Sequence, residues 1–275
     1  MEQFTIEDMQ DIELNLLKVF DKFCSERNIR YSIAGGTLIG AVRHGGFIPW
    51  DDDIDIIVPR TDYDKLLQYK EDLEFPYKIE SPYDKREKYD EPYNFAYAKL
   101  FDLRTTLIEF PETKRVSSHV YIDIFPSDGM PREKKDIEKH YKKAHKLILI
   151  RSVANASYYR SKMKESGAKV YFWKMIYAIN NFLPQGFFFK MLDKHCRKYS
   201  IENTKNMGVI VAGYGIKECI DQDVFFPLKR ITFDGVDVSV MNNYDAFLRQ
   251  LYGDYMQLPP ESKRKANHYY EAYWS

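Results

Sequence analysis

No stretch of the 275 residues approaches 18 uninterrupted apolar positions, so the sequence predicts no membrane-spanning helix. Neither sign of charge is in excess. Lys+Arg and Asp+Glu both number 41, which speaks against a general nucleic-acid binder, since such proteins carry a basic surplus. Cysteine is scarce: Cys24, Cys196 and Cys219 are odd in number, far apart and outside any CxxC pair. That excludes a disulfide framework or a cysteine zinc site and fits a reduced, cytoplasmic setting. The opening residues, MEQFTIEDMQDIELNLL, lack the basic start and apolar run of a secretory signal. Repeats and low-complexity linkers are also missing, so a single domain spanning 1–275 is expected. What is plentiful is aromatic, 22 Tyr and 18 Phe, enough for a ligand cage as well as a core.

The pattern of elements reads as α+β. Thr5 with Asp8 resembles a capping box, and Met9, Ile12, Leu16, Val19 and Phe23 recur at helical spacing, predicting one amphipathic helix over 6–27. RYSIAGG predicts a short strand ending on Gly35-Gly36, followed by a brief helix begun by Thr37. Residues 54–58 read as strand, and 61–73 as helix. Strands are expected in YKIES, FAYAKLFDL, TTLIEF and HVYIDIF between Tyr77 and Phe125. From Pro131 to Tyr199 the pattern is nearly all helical, a helical insertion at about 131–200 in a mixed sheet. KRITFDGVDVSVM is a hairpin turned at Asp234-Gly235; a last helix, YDAFLRQLYGDYM, precedes a polar tail.

The most informative stretch is GFIPWDDDIDIIVPR, Gly46 to Arg60. If it is extended, side chains two apart lie roughly 6–7 Å from one another on one face. Asp51, Asp53 and Asp55 then share one side, and Asp52, Ile54, Ile56 and Val58 the other. Packed carboxylates repel and take up protons unless a cation neutralises them, and hard oxygen donors suit Mg²⁺ or Mn²⁺ better than zinc. A solvated acidic turn after Pro49 is the plainer alternative; an EF-hand lacks its glycine and distal glutamate here. Gly35-Gly36-Thr37 complements the acidic stretch, because glycines let backbone N–H groups approach an anion at a helix start. A diphosphate could be held by backbone donors on one side and a carboxylate-bound metal on the other.

The run AGGTLIGAVRHGGFIPWDDDIDI, with YIDIFPSDGMP and FDGVDVSVMNNYDAFLRQLYGDYMQLPP downstream, resembles the LicD family of phosphotransferases, which includes fukutin-related proteins, within the nucleotidyltransferase superfamily. The resemblance covers about Ile33 to Pro260 and implies a nucleotidyltransferase-like mixed β-sheet core flanked by helices. It implies transfer of phosphocholine, or a similar phospho-alcohol, from a CDP-linked donor to a glycan hydroxyl with release of CMP. Teichoic acid and lipopolysaccharide sugars are typical acceptors, with the inner face of the cytoplasmic membrane as one setting.

By that resemblance Asp53 and Asp55 match the family's metal-binding pair, Asp51 is a further ligand candidate, and Asp123 is the third carboxylate. Asp102 and Asp128 are weaker candidates for that role. Arg43, His44 and Lys99 are expected at the donor phosphates, although Arg43 and His44 equally suit a helix C-terminus. Trp50 is either a wall of the site or a core residue. A choline cage, best built from aromatic faces, is expected from Tyr83, Tyr89, Tyr93, Phe95 and Tyr97, near Asp84, Glu87, Asp90 and Glu91, with Tyr158 and Tyr159 as a second option. YFWKMIYAINNFLPQGFFFKMLDKHCRKY reads as helical-subdomain core or as a pair of helices touching a bilayer interface. Two rivals share the apparatus: a nucleotidyltransferase adding NMP from an NTP, told apart by pyrophosphate release, and a catalytically inert glycan-binding scaffold.

Overall fold

The computed structural model describes residues 2–84, 95–109, 116–152, 168–182, 187–265 and 270–275. Among these, eight strands form one mixed sheet and two more form a separate hairpin. β1 (Ser32–Ile33), β2 (Asp55–Pro59), β5 (Val116–Met130), β4 (Ala98–Glu109) and β10 (Tyr270–Trp274) follow in that spatial order. β3 (Tyr77–Glu80) shares the outer edge of β4 with β10. β6 (Asn206–Val209) pairs with the end of β5, and β7 (Cys219–Asp221) with β6. Only β2 and β5 run parallel among these pairs; the remaining ladders are antiparallel.

α1 (Ile6–Glu26) begins with a complete capping box, in which Thr5 and Asp8 satisfy each other's backbone N–H groups. Its buried stripe of Met9, Ile12, Leu16, Leu17, Phe20 and Phe23 packs on the sheet. Each such side chain contributes about 1.5–3 kcal/mol by leaving water. α2 (Gly35–His44) and α3 (Arg60–Tyr69) follow β1 and β2. The sequence places α2's start at Thr37, but the helix begins two residues earlier, so the glycine pair forms its first turn.

The hairpin of β8 (Lys229–Phe233) and β9 (Val236–Val240) turns at Asp234 and Gly235, whose φ angles of 43° and 74° are those of the expected tight turn. Its tip fastens the chain entering the acidic stretch: the Phe47 N–H donates to Asp234 Oδ2 at 2.8 Å and the Asp234 N–H to Gly45 O at 2.9 Å. Met241 N–H donates to Ser32 Oγ at 2.9 Å, tying the other end of the hairpin to β1.

Between β5 and β6 in sequence lie α4 (Lys134–Ser152), α5 (Ala168–Phe182) and α6 (Phe187–Cys196). α4 and α6 share a small core of Ile137, Tyr141, Ala144, Leu147, Leu192 and Cys196. Phe189 is buried, whereas Tyr171, Phe172, Met175 and Ile179 stand exposed on α5. Among the described residues no helix is long and apolar enough to cross a membrane. After β9 come α8 (Tyr244–Tyr252), ended by Gly253 at φ 72°, and the tail; the one-turn α7 (Gln222–Phe225) precedes β8. The tail departs from expectation: YEAYW returns as β10 along β4, because only tertiary pairing makes that half-polar segment a strand.

Candidate functional site

The register of β2 on β5 builds the site. Asp55 lies directly beside Asp123 in the parallel pair, and Lys99 of β4 sits opposite Asp123 on its other side. Lys99 Nζ is 2.5 Å from Asp123 Oδ1, and Tyr97 donates to Asp123 Oδ2 at 3.3 Å. The Lys99 ammonium is buried at 1% exposure over the Tyr121 and Phe95 rings, 3.2 and 3.9 Å from their centroids.

α2 supplies the facing wall. A Cβ on Gly35 would come 2.4 Å from Asp55 Oδ2, and one on Gly36 would come 2.4 Å from Asp51 Oδ2. Gly35 also has φ 57°, a left-handed conformation in which a side chain is strained. Thr37 Oγ1 accepts from the Asp55 N–H at 2.9 Å, which locks the helix start to the mouth of β2. The first N–H groups of a helix have no intrahelical partner, and Ala34 offers no side-chain cap to them. The partial positive end of the helix therefore faces the carboxylates.

The electrostatics are unbalanced. Burial, reinforced by Asp53, Asp123 and Asp51, pushes the Asp55 carboxyl well above the usual carboxylate range, and Lys99 only partly opposes this. Glu13 of α1 behaves alike: burial first, then the fields of Asp53, Asp52, Asp51 and Asp123, hold its carboxyl well up. It is 2% exposed, and its Oε2 has no hydrogen-bond partner among the described residues. A cavity of about 280 Å³ opens beside Asp55 and Gly35, walled by Tyr97, Phe125, Tyr214 and Tyr252, with Glu218 in its lining.

Residues 28–148 match the family model described as LicD/FKTN/FKRP, nucleotidyltransferase domain. The chain is 35% identical over 279 residues to the lipopolysaccharide cholinephosphotransferase LicD of Haemophilus influenzae, covering 99% of both chains. This chain belongs to the LicD/FKTN/FKRP family. It is thereby a transferase of the nucleotidyltransferase-domain class. An uncharacterised protein of Rickettsia prowazekii is 32% identical over 117 residues, 42% of this chain and 39% of that one. A second, from Rickettsia typhi, is 29% identical over 133 residues, 46% and 38% of the two chains.

Against this LicD-family frame, the expected site residues separate into groups. Asp55 and Asp123 meet, with Gly35, Gly36 and Thr37 against them. Asp51 and Asp53 lie in the same field but not on a common strand face, since β2 starts only at Asp55. The backbone before it makes a turn instead: the Asp51 N–H donates to Ile48 O at 2.9 Å, and Gln10 Nε2 donates to Asp51 O at 2.8 Å. Lys99 is committed to Asp123 rather than standing open for a phosphate.

Arg43 and His44 occupy the last turn of α2, about 10 Å along the axis from Gly36. Arg43 donates to Tyr255 O at 2.6 Å, and His44 packs edge-on against Trp50. Both stand at the helix C-terminus, and Arg43 also lies within the field of Asp51. Trp50 is half-buried against the core and is absent from the lining of the cavity beside Asp55.

Asp102 pairs with Arg104 at 2.9 Å, and Asp128 with Arg60 at 2.6 and 2.7 Å, so both act in ion pairs away from Asp55. Tyr83 leaves the expected cage as well: its hydroxyl bonds to Asp193 and Arg197, while Asp84 pairs with Lys70 at 2.6 Å. Tyr89, Tyr93, Tyr158 and Tyr159, with Glu87, Asp90 and Glu91, lie outside the described residues.

Sequence reasoning missed Glu13, Phe125, Tyr214, Glu218 and Tyr252. Glu13 had a signal. It falls four residues after Met9 and three before Leu16, a charge inside α1's apolar stripe. Phe125 and Tyr252 come from separate elements and Tyr214 and Glu218 from one short segment, and nothing local marks them.

Proposed function

We propose that this chain transfers phosphocholine, or a closely related phospho-alcohol, from a CDP-linked donor to a hydroxyl of a surface glycan or lipid-linked glycan precursor. The observation that carries the reading is the side-by-side placement of Asp55 and Asp123 against the glycine start of α2. The full-length similarity to the Haemophilus lipopolysaccharide cholinephosphotransferase supports it.

Among the described residues no three Asp, Glu, His or Cys side chains already stand in metal-holding geometry. The donor set nonetheless fits Mg²⁺ or Mn²⁺, which commonly uses one or two carboxylates and leaves other positions to substrate phosphates and water. Asp55 and Asp123 would hold it, with Asp53 and Asp51 as the nearest further oxygens. When bound, such an ion neutralises diphosphate charge and draws the carboxylates to their ionised forms.

The chain's own groups supply the rest. The open N–H groups at Gly35, Gly36 and Thr37 bind and orient donor phosphate oxygens. The acceptor oxygen attacks the phosphorus carrying choline, the bond from that phosphorus to the bridging oxygen breaks, and CMP leaves with the electron pair. The acceptor's proton passes to a carboxylate oxygen of Asp123, which Lys99 holds in place at 2.5 Å. Most of the acceleration then comes from alignment and charge compensation, as phosphoryl transfer demands. The exposed apolar row of α5 with Lys174 suits peripheral contact with a bilayer bearing a lipid-linked acceptor.

Incubation with Mg²⁺, CDP-choline and a glycan acceptor should release CMP in step with labelled phosphocholine appearing on the glycan, and chelation should stop both. Pyrophosphate release from an NTP, with CDP-choline left intact, would replace this reading with nucleotidyl transfer.

Gly35→Ala tests the glycine wall. The new methyl must share space with Asp55 Oδ2, 2.4 Å away, in a left-handed backbone. The backbone strain costs about 1–2 kcal/mol. Because Asp55 must turn aside, the transfer rate should fall by roughly 10²-fold, the usual result of misplacing a reacting group by about 1 Å. Steady-state kinetics beside a melting curve checks this; wild-type kinetics would remove Gly35 from the site.

A further inference from the structure

The cavity beside Asp55 has a composition that the transfer chemistry itself does not require. Its lining includes five aromatic residues, Phe247 among them, and two carboxylates, Asp55 and Glu218; among the described residues no lysine or arginine lines it. Four of the rings come as two pairs from different parts of the fold. Tyr97 and Phe125, on the sheet side, have centroids 4.2 Å apart, and Tyr214 and Tyr252 meet edge-on at 5.3 Å. Glu218 is 5% exposed and accepts one bond, from the Tyr214 N–H at 3.2 Å.

Burial pushes the Glu218 carboxyl up to about 8, so without a positive neighbour it is poorly ionised at neutral pH. Asp55 and Glu218 line the same cavity, with Tyr252 also in its wall. A space of about 280 Å³ lies near the lower end for small-ligand pockets. Ring faces and a carboxylate attract an organic cation, and the nearby Lys99 ammonium, 5.5 Å from the Tyr97 centroid, is already paired with Asp123. A quaternary ammonium has no N–H to donate and is held by those two means alone. A neutral base makes no comparable use of two acidic groups.

We infer that this cavity is the headgroup pocket, in which Tyr97, Phe125, Tyr214 and Tyr252 enclose a trimethylammonium group and Glu218 supplies its counter-charge. The assignment rests on the phosphocholine reading above and deepens it. Asp55 belongs to both the pocket and the acidic pair, so a headgroup seated here leaves its phosphate at the carboxylates. Selection against glycerol- or ribitol-phosphate donors follows, since a polyol brings no positive charge to Glu218.

Calorimetric titration of the whole protein with phosphocholine, and separately with CMP, tests the pocket without any turnover. The variants are Tyr214→Leu, which keeps bulk at a half-exposed position, and Glu218→Gln, which keeps shape. Each should weaken phosphocholine binding about tenfold, the scale of a desolvated cation–ring contact, and leave CMP binding unchanged. Equal losses for CMP and phosphocholine would assign the cavity to the nucleoside. Unchanged phosphocholine binding in both variants, or none in the wild type, would overturn the proposal. Phosphocholine binding that depends on these residues in a protein releasing no CMP from CDP-choline would instead sink the phosphotransfer reading and leave the pocket standing.

Discussion

Asp55→Asn should lower phosphocholine transfer by 10²-fold or more while leaving the melting temperature at or above the wild-type value. The first half follows from where the residue sits. Asp55 is the one aspartate of the acidic run that lies within the sheet, paired with Asp123 and pressed on Gly35. Losing a group that stabilises charge in the reacting complex commonly costs 10²–10³ in rate. The second half follows from electrostatics. Burial and three neighbouring carboxylates disfavour ionised Asp55, so an uncharged amide of the same shape removes repulsion from the folded protein. Loss of rate with gain of stability is the signature of a functional carboxylate held against its own preference. A variant that lost both would make Asp55 a structural residue, and one that lost neither would remove it from the reaction. Initial rates of CMP release beside thermal melts separate these outcomes.

Asp128→Asn should do the reverse. The Asp128 and Arg60 side chains are 1% and 10% exposed and share a two-pronged contact at 2.6 and 2.7 Å. Burial draws the Arg60 guanidinium's pKa down, and Asp128 more than reverses this. Removing one partner of a buried pair leaves the other uncompensated, at a cost of about 3–5 kcal/mol. Asp193, 3.6 Å from Arg60, recovers part of that. For a chain of this size each kcal/mol moves the melting temperature by about 2–4 °C, so a drop near 10 °C is expected, with the transfer rate of the remaining folded protein unchanged. A stable Asp128→Asn protein without transfer would move the third carboxylate from Asp123 to Asp128.

These two aspartates mark how far the sequence could be read. The family resemblance points to Asp123 in VYIDIF, which meets Asp55 through a parallel register that no local signal announces. Asp128, five residues on along the same strand, looked like a weaker version of the same thing. Only the arrival of Arg60 from α3 makes it structural. Lys99 shows the converse: the sequence places it at the donor phosphates, but its partner in the fold is Asp123, a position that becomes its neighbour only in the sheet. Tyr83 was grouped with Tyr97 by closeness in sequence, yet the one joins Asp193 and Arg197 while the other reaches Asp123 and the cavity. Closeness along a chain implies closeness in space only within one element.

Local chemistry, by contrast, was legible. The capping box of α1, the Asp234-Gly235 turn and the run of helices between β5 and β6 depend on interactions a few residues long. The glycine pair and the acidic run, and the resemblance they carried, were visible for the same reason: a backbone approach and a charge cluster are each written in a handful of consecutive residues.

By itself, then, the order of residues determined the helices, the tight turns, the family and the closeness of the acidic run to the glycine pair. Tertiary structure alone decided which carboxylate meets which, where Lys99 and Arg60 place their charge, and that Tyr97, Phe125, Tyr214, Tyr252 and Glu218 wall one cavity. The reason is range. Hydrogen bonds of caps and turns are settled among neighbours, whereas burial and charge act through space among groups that can lie as far apart in sequence as Arg43 and Tyr255, and only the packed chain says who those neighbours are.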